Sequence, residues 1–289
     1  MITVFTPTYN RSYIIANLYN SLCRQTFFDF EWLVIDDGST DNTEELIASF
    51  ESEKKIYIRY IKQDNGGKHR AINRGLKEAK GELFFIVDSD DCLVENSLER
   101  IYHYYNQIKD DPFFIGVCGL KAYFTGERVG GEVDMDVIDC TSLDVRLKYH
   151  VRGDLAEVFK TNILKQFPFP EIPGELFCSE GLVWNRIARE YKMRFFFEKI
   201  YLCDYLPDGL TSKIVKIRMQ SPVATKLLYS ELYRMDVPLK MKLKAALNYW
   251  RFSFCMKSSF KNDLLQMNAL SLFLYPLGYI MHMRDKEQL

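Results

Sequence analysis

The chain has no C-x-x-C pair, no G-x-G-x-x-G after its first strand and no G-x-x-x-x-G-K-[ST]. A dinucleotide site of the Rossmann type and a P-loop are therefore not expected. Seven cysteines, Cys23, Cys92, Cys118, Cys140, Cys178, Cys203 and Cys255, are odd in number and scattered. That spacing argues against a disulfide framework and against a zinc site, and fits a reducing compartment. No apolar run reaches the roughly 20 residues that span a bilayer. The longest, 267–283, is interrupted by Asn268, Ser271, Pro276, Gly278 and His282, and reads as a core helix or an interfacial one. No signal peptide is expected ahead of the opening strand ITVFT, so a cytoplasmic location is expected. Internal repeats and low-complexity segments are absent.

What is present is ordinary in bulk and uneven in distribution. The 289 residues suffice for one large α/β domain with an appendage, and the net charge is −1. From Lys213 onward, however, 13 Lys and Arg face 5 Asp and Glu. An acidic body with a basic tail suggests an anionic membrane surface for the tail; a solvated basic face packed on the body is the other reading. No nucleic-acid partner is expected.

Strands at 2–6, 32–35, 56–61 and 83–87 alternate with helical patterns, the clearest running from Lys68 to Ala79. Alternation over the first 95 residues predicts a parallel sheet with right-handed crossovers, flanked by helices. Beyond it, 114–133 predicts two strands around a turn, 141–148 a helix, AEVF a short strand, 179–190 a helix and 193–202 a strand. After Pro207-Asp208-Gly209 the character changes to helices at 213–235, 239–258 and 262–283. The domains expected are 1–212, with halves 1–95 and 96–212, and a helical extension, 213–289.

The stretch LFFIVDSDD, 83–91, is the centre of this pattern. Five apolar residues form a buried strand, and Asp88, Asp90 and Asp91 crowd at its end. Two such charges about 4 Å apart repel by about 4 kcal/mol at an effective dielectric near 20, so a hard cation or helix-start amides are needed to hold them. Parallel pairing would bring Thr6-Pro7-Thr8-Tyr9-Asn10-Arg11, Asp36-Asp37 and Asn65-Gly66-Gly67-Lys68 to the same sheet edge, where open α/β sheets bind ligands.

TPTYNR at 6–11, Gln25-Thr26, DDGSTDNT at 36–43, NGGKHRAINRG at 65–75, AKGE at 79–82 and DSDD at 88–91 together resemble the family 2 glycosyltransferases of the GT-A fold. SEGLVWNRIA at 179–188 is similar to the acceptor-side helix start of that family, and the tail after residue 212 carries no motif of it. The resemblance implies a nucleotide-diphosphate sugar, commonly a UDP-sugar, bound across the strand ends. It assigns Asp37 to the base edge, Thr6, Tyr9 and Arg11 to the base pocket beside Pro7, and Gly67 and Lys68 to the base or phosphates. Asp88 and Ser89 would face the ribose or the metal, and Asp90 would ligate Mn²⁺ or Mg²⁺. Glu180 matches the position of the catalytic base. The family often reads Glu-Asp there, whereas this chain reads Glu180-Gly181.

The expected activity is thus metal-dependent, inverting transfer of a sugar to a hydroxyl of a glycan or lipid-linked acceptor in envelope or polysaccharide synthesis. A non-catalytic nucleotide-sugar or glycan-binding protein is the alternative that Gly181 motivates. Nucleotidyl transfer fits less well, because its basic glycine-rich loop is absent. Asp36 is expected to order a turn, Asp91 to cap a helix, and Trp184 to pack in a core. Asp154 and Glu157 are held as reserve acids.

Overall fold

The computed structural model describes residues 1–205, 209, 211–256 and 260–287; Pro207, Asp208 and the last two residues of the helix expected over 239–258 lie outside them. The chain divides into two units, Met1–Pro168 with Arg186–Asp204, and Phe169–Asn185 with Tyr205–Leu289.

The first unit begins with β1 Ile2–Thr8, α1 Ile15–Cys23, β2 Phe30–Asp36, α2 Thr43–Glu53, β3 Ile58–Lys62, α3 Lys68–Glu78 and β4 Leu83–Ile86. It continues through β5 Cys92–Leu93, α4 Ser97–Asn106, β6 Phe114–Ala122, β7 Val137–Cys140, α5 Asp144–Leu147, β8 Leu155–Lys160 and α6 Thr161–Leu164. Helix α7, Glu180–Ile187, crosses the division between units, and β9, Lys192–Leu202, completes the sheet. The strand order is β3-β2-β1-β4-β8-β6-β9-β5, with β7 paired to β9. Strands β3, β2, β1 and β4 are mutually parallel, as the alternation predicts, while β8 runs antiparallel to β4 and β6.

Burial explains the sequence pattern. β1 and β2 are buried along their whole length, so both faces are enclosed and neither strand shows a regular alternation of apolar and exposed polar residues. Helices α1 and α2 pack on one face, where Tyr19, Phe50 and Trp32 stack at centroid distances of 4.0 and 6.0 Å. On α3, Gly75 is required by contact: a β-carbon there would lie 2.2 Å from the Phe5 ring.

The paired strands expected over 114–133 are half right. FIGVCGLKA is β6, but RVGGEV is not a strand and meets the sheet only through an isolated bridge, Ala122 to Arg128. Gly130 and Gly131 take φ of 92° and 88°, which breaks a ladder, and a β-carbon on Gly130 would strike the Arg152 carbonyl. The partner strand for β9 is instead supplied by β7.

The second unit contains α8 Ile214–Gln220, α9 Pro222–Arg234, α10 Leu239–Ser253, α11 Phe260–Met267, a 3-10 turn Ala269–Leu274 and α12 Tyr275–Glu287. Pro222 sits in the first turn of α9, where its missing N–H costs nothing, and Glu175 accepts from the Val223 and Ala224 amides at 2.6 and 2.8 Å. Ion pairs Lys226–Asp263 and Arg251–Asp285, both at 2.5 Å, and Trp250 Nε1 donating to the Ser271 carbonyl at 3.0 Å tie the helices together. The single helix expected over 262–283 is broken: Asn268 takes φ of 62°, and the two pieces are bent by 111°. Among the described residues, no single helix is long and apolar enough to cross a membrane.

One buried charge anchors the edge of the sheet opposite the carboxyl ends. Glu31 is 0% exposed and accepts from Thr3 Oγ1 at 2.6 Å, the Lys80 amide at 2.8 Å and Arg59 Nη1 at 3.1 Å. Replacing Glu31 with Ala strands these donors and should cost about 3 kcal/mol or more. A circular-dichroism melt should show the midpoint lowered by several degrees; an unshifted midpoint would remove the carboxylate from the account of stability.

Candidate functional site

The carboxyl ends of β1, β2, β3 and β4 share one edge, because register pairs Thr8 with Asp36, Asp36 with Lys62 and Phe5 with Ile86. The loops leaving them are locked to one another by short polar side chains. Asn10, at φ 52°, accepts from the Thr40 and Asp41 amides at 2.8 and 3.3 Å and donates its own amide to Ser39 Oγ at 2.8 Å. Asp41 accepts from the Ser12 amide at 3.0 Å, and these hydrogen bonds outweigh burial in holding its carboxyl below the usual range. Asp36 is fully buried and accepts from the Ser39 amide at 2.7 Å and from Tyr60, so it orders the turn as expected.

Asp37 is 4% exposed and organises the next loop. Its Oδ1 accepts from Gln63 Nε2 at 2.8 Å and the Gly66 amide at 2.9 Å, and its Oδ2 from the Gly67 amide at 2.7 Å. Gly67 has φ of 90°, and at Gly38, φ 86°, a β-carbon would stand 2.9 Å from the Asn65 nitrogen. The glycines on either side of Asp37 are thus demanded by backbone direction and close approach.

The carboxylate cluster after β4 is held by cations. Lys68 Nζ lies 2.7 Å from Asp88 Oδ1, and Arg11 Nη2 lies 3.9 Å from Asp90 Oδ2. Burial raises the Asp88 carboxyl, but Lys68 and Lys121 outweigh it and bring it below its ordinary value. Asp90 is raised, first by burial and then by the Asp88 charge. Asp91 is pushed up to about 7 by the same two causes, and it accepts a hydrogen bond from Tyr201 Oη at 2.6 Å. The Tyr201 oxygen in turn accepts from the Asp88 amide at 3.0 Å, and Lys121 Nζ sits 3.9 Å from the Tyr201 ring centroid. Burial lowers Lys121, yet Asp88, Asp91 and Glu157 raise it overall, so it stays a cation.

Lys121 and Tyr201 were not among the residues the sequence reading singled out. A lone lysine inside the apolar run FIGVCGLKA was the available signal; Tyr201, in a strand of ordinary composition, offered none. The residues that were singled out fall in different places. Arg11, Lys68, Asp88 and Asp90 converge. Thr6 is fully buried and its hydroxyl accepts from Trp32 Nε1 at 2.9 Å, Pro7 pairs with Ile35 within the sheet, and Ser89 is 5% exposed. Tyr9 is 49% exposed, and Thr8 Oγ1 is buried without a hydrogen-bond partner. Glu180 is half-buried at the first turn of α7, within the second unit, where Trp184 packs edge-on against Phe169 at 5.9 Å.

No group of three or more His, Cys, Asp or Glu suited to a metal converges among the described residues. Asp88 and Asp90 nevertheless fit a divalent cation of the hard, oxygen-bound kind, which takes one or two carboxylates and completes its shell with phosphate oxygens and water. A cavity of about 460 Å³ lies elsewhere, at the amino ends of β2 and β3 around Phe30 and Ile58.

Known proteins share this arrangement. Residues 3–127 match the model of the family described as Glycosyl transferase family 2. The poly(ribitol-phosphate) beta-N-acetylglucosaminyltransferase TarS of Staphylococcus aureus is 29% identical over 173 residues, which is 58% of this chain but 29% of TarS. The chain thus spans under a third of that relative. A crystal structure of TarS 1-349 in complex with UDP aligns over 98% of this chain and 87% of its own, with a TM-score of 0.62 and 20% identity. The Campylobacter jejuni GalNAc(5)-diNAcBac-PP-undecaprenol beta-1,3-glucosyltransferase is 25% identical, over 96% of this chain and 93% of its own length. The mannosyltransferase PcManGT of Pyrobaculum calidifontis, solved in complex with GDP-Man and Mn2+, shares the fold at a TM-score of 0.57 and 17% identity, over 98% of this chain and 83% of its own. Residues 3–127 of this chain thus match glycosyl transferase family 2, and its fold resembles the GT-A fold of the glycosyltransferase structures it aligns with.

Proposed function

We propose that this protein is an inverting glycosyltransferase that moves a sugar from a UDP-sugar to a hydroxyl of a cell-envelope glycan or lipid-linked acceptor. The observation that carries the reading is the shared sheet edge, where the Asp37-ordered glycine loop stands beside a carboxylate cluster balanced by Arg11, Lys68 and Lys121. The UDP complex of TarS and the polyprenyl-linked acceptor in the name of the Campylobacter relative support the donor and acceptor classes.

Asp37 supports uracil over guanine. With Oδ1 taken by two donors and Oδ2 by one, a single acceptor lone pair remains. That matches the one imide N–H of uracil, whereas guanine presents two adjacent donors on the corresponding edge. Thr6 and Pro7 would act behind the base pocket by fixing β1, and Tyr9, the exposed residue of the set, would meet the nucleotide directly.

In the proposed reaction the acceptor oxygen attacks the anomeric carbon as the bond to the diphosphate breaks and its electron pair leaves with the diphosphate. Glu180 takes the acceptor proton. Arg11 and Lys68 hold positive charge where the leaving group gains negative charge. Mn²⁺ or Mg²⁺, held by Asp90 with Asp88, would supply further charge neutralisation on the diphosphate. Lys121 and Tyr201 keep Asp88 and Asp91 in place beneath.

Gly181 does not impair this assignment sterically. A β-carbon there would meet Ser179 Oγ at 3.6 Å and Leu228 Cδ1 at 4.0 Å, both ordinary contacts. The position accepts a β-carbon without strain, so the Glu180-Gly181 pair can be tested in both directions.

A thermal-shift screen of UDP-, GDP- and dTDP-sugars with and without Mn²⁺ should single out UDP-sugars, since a ligand binding the native state raises apparent stability. Asp90→Asn should abolish the metal-dependent part of the shift; a shift retained in full would remove Asp90 from the metal site. In a UDP-release assay with acceptor, Glu180→Gln should lower turnover by about two to four orders of magnitude while leaving the UDP-sugar shift intact. Unchanged turnover in Glu180→Gln would remove Glu180 as the base; a wild type that shifts with UDP-sugar but releases no UDP, with activity created by Gly181→Asp, would replace the proposal by the non-catalytic reading.

A further inference from the structure

Helix α12 turns an apolar side outward. Its inner stripe, Gly278, His282 and Asp285, is buried within the second unit. On the opposite side, Leu277, Ile280 and Met283 recur at three-residue spacing and stand 46%, 61% and 38% exposed. The preceding turns are also exposed at apolar residues, Phe273 at 66%, Leu270 at 76% and, on α11, Leu265 at 73%. A surface helix of a soluble protein ordinarily presents polar and charged residues where it meets water. Contiguous apolar surface of this kind marks an interaction site.

We infer that this outer face seats in the headgroup–acyl boundary of an anionic lipid bilayer. Three observations select that occupant. First, cations lie at both ends of the apolar stretch: Lys261 on α11, and Arg284 and Lys286 in the last turns of α12, all exposed. Second, the segment from Lys213 onward holds 13 Lys and Arg against 5 Asp and Glu, and two of those acids, Asp263 and Asp285, are already committed to Lys226 and Arg251. Anionic headgroups complement that charge, whereas a second copy across a twofold axis would set the same cations against one another. Third, α11 and the 3-10 turn with α12 pass together for membrane entry by length and composition, yet are bent by 111°. At 1.5 Å per residue, the 13 residues of α12 extend about 20 Å, short of the roughly 30 Å hydrocarbon core. The helix therefore lies in the interface rather than crossing it.

The inference does not require glycosyl transfer, and the two fail separately. Full-length protein is floated with vesicles of phosphatidylcholine alone and of phosphatidylcholine mixed with phosphatidylglycerol, at low and high salt. Wild type should float with the mixed vesicles, and less so at high salt. Leu277→Asp with Ile280→Asp should reduce the bound fraction about tenfold or more, with the melting curve and UDP release unchanged. Arg284→Glu with Lys286→Glu should reduce binding to mixed vesicles only. Wild type that stays in the soluble fraction with both vesicle types overturns the inference, as does undiminished binding of the double aspartate variant. A dimer in sedimentation equilibrium that the aspartates dissociate, without flotation of wild type, would assign the face to a second copy instead.

Discussion

Three carboxylates within four residues cannot share one strand end unless positive charge is brought to them. That requirement shapes the first unit. The 88–91 turn supplies the acids, but the balancing cations come from elsewhere in the chain: Arg11 after β1, Lys68 at the start of α3 and Lys121 on β6. The strand order that places β1 beside β4 and folds β8 and β6 in behind it is what lets those cations arrive. Topology and electrostatics are here two descriptions of one constraint. Burial, and after it the Asp88 charge, still raises the carboxyls of Asp90 and Asp91.

A division of labour runs through the loops around that cluster. Asp36, Asn10 and Asp41 spend their oxygens on backbone amides of neighbouring loops and fix the edge as a rigid rim. Asp37 does the same for Gly66 and Gly67, but retains a lone pair. Thr6 is turned inward to Trp32. Residues that a motif groups as one string thus separate into those that hold the frame and those that face outward. The distinction depends on which side of the sheet each side chain leaves.

The parallel half of the fold was legible because its signals are local: continuous apolar strands, glycine breaks, and a helical pattern from Lys68. The edge cluster was legible in part, since Asp88 and Asp90 announce themselves by crowding. What escaped was non-local. Tyr201 lies 110 residues from the Asp91 it touches, and no periodicity reports such a pairing. The two-residue β5 and the four-residue β7 are too short to carry a pattern. RVGGEV has the composition of a strand but the backbone of a glycine turn, and the break at Asn268 interrupts an apolar run that composition alone reads as continuous.

Gly278 sets the distance between α12 and α10. A β-carbon at this position would fall 2.8 Å from Trp250 Cβ and 3.0 Å from the Arg251 nitrogen, so even alanine would wedge the pair apart and strain the Arg251–Asp285 bridge beside it. The two sides of α12 therefore carry unequal mutational freedom. At position 278 its inner side is held to the size of a hydrogen atom, while its outer side can drift among residues of similar oiliness. Related chains should diverge along this helix in alternating bands, rigid and permissive, in step with its turn.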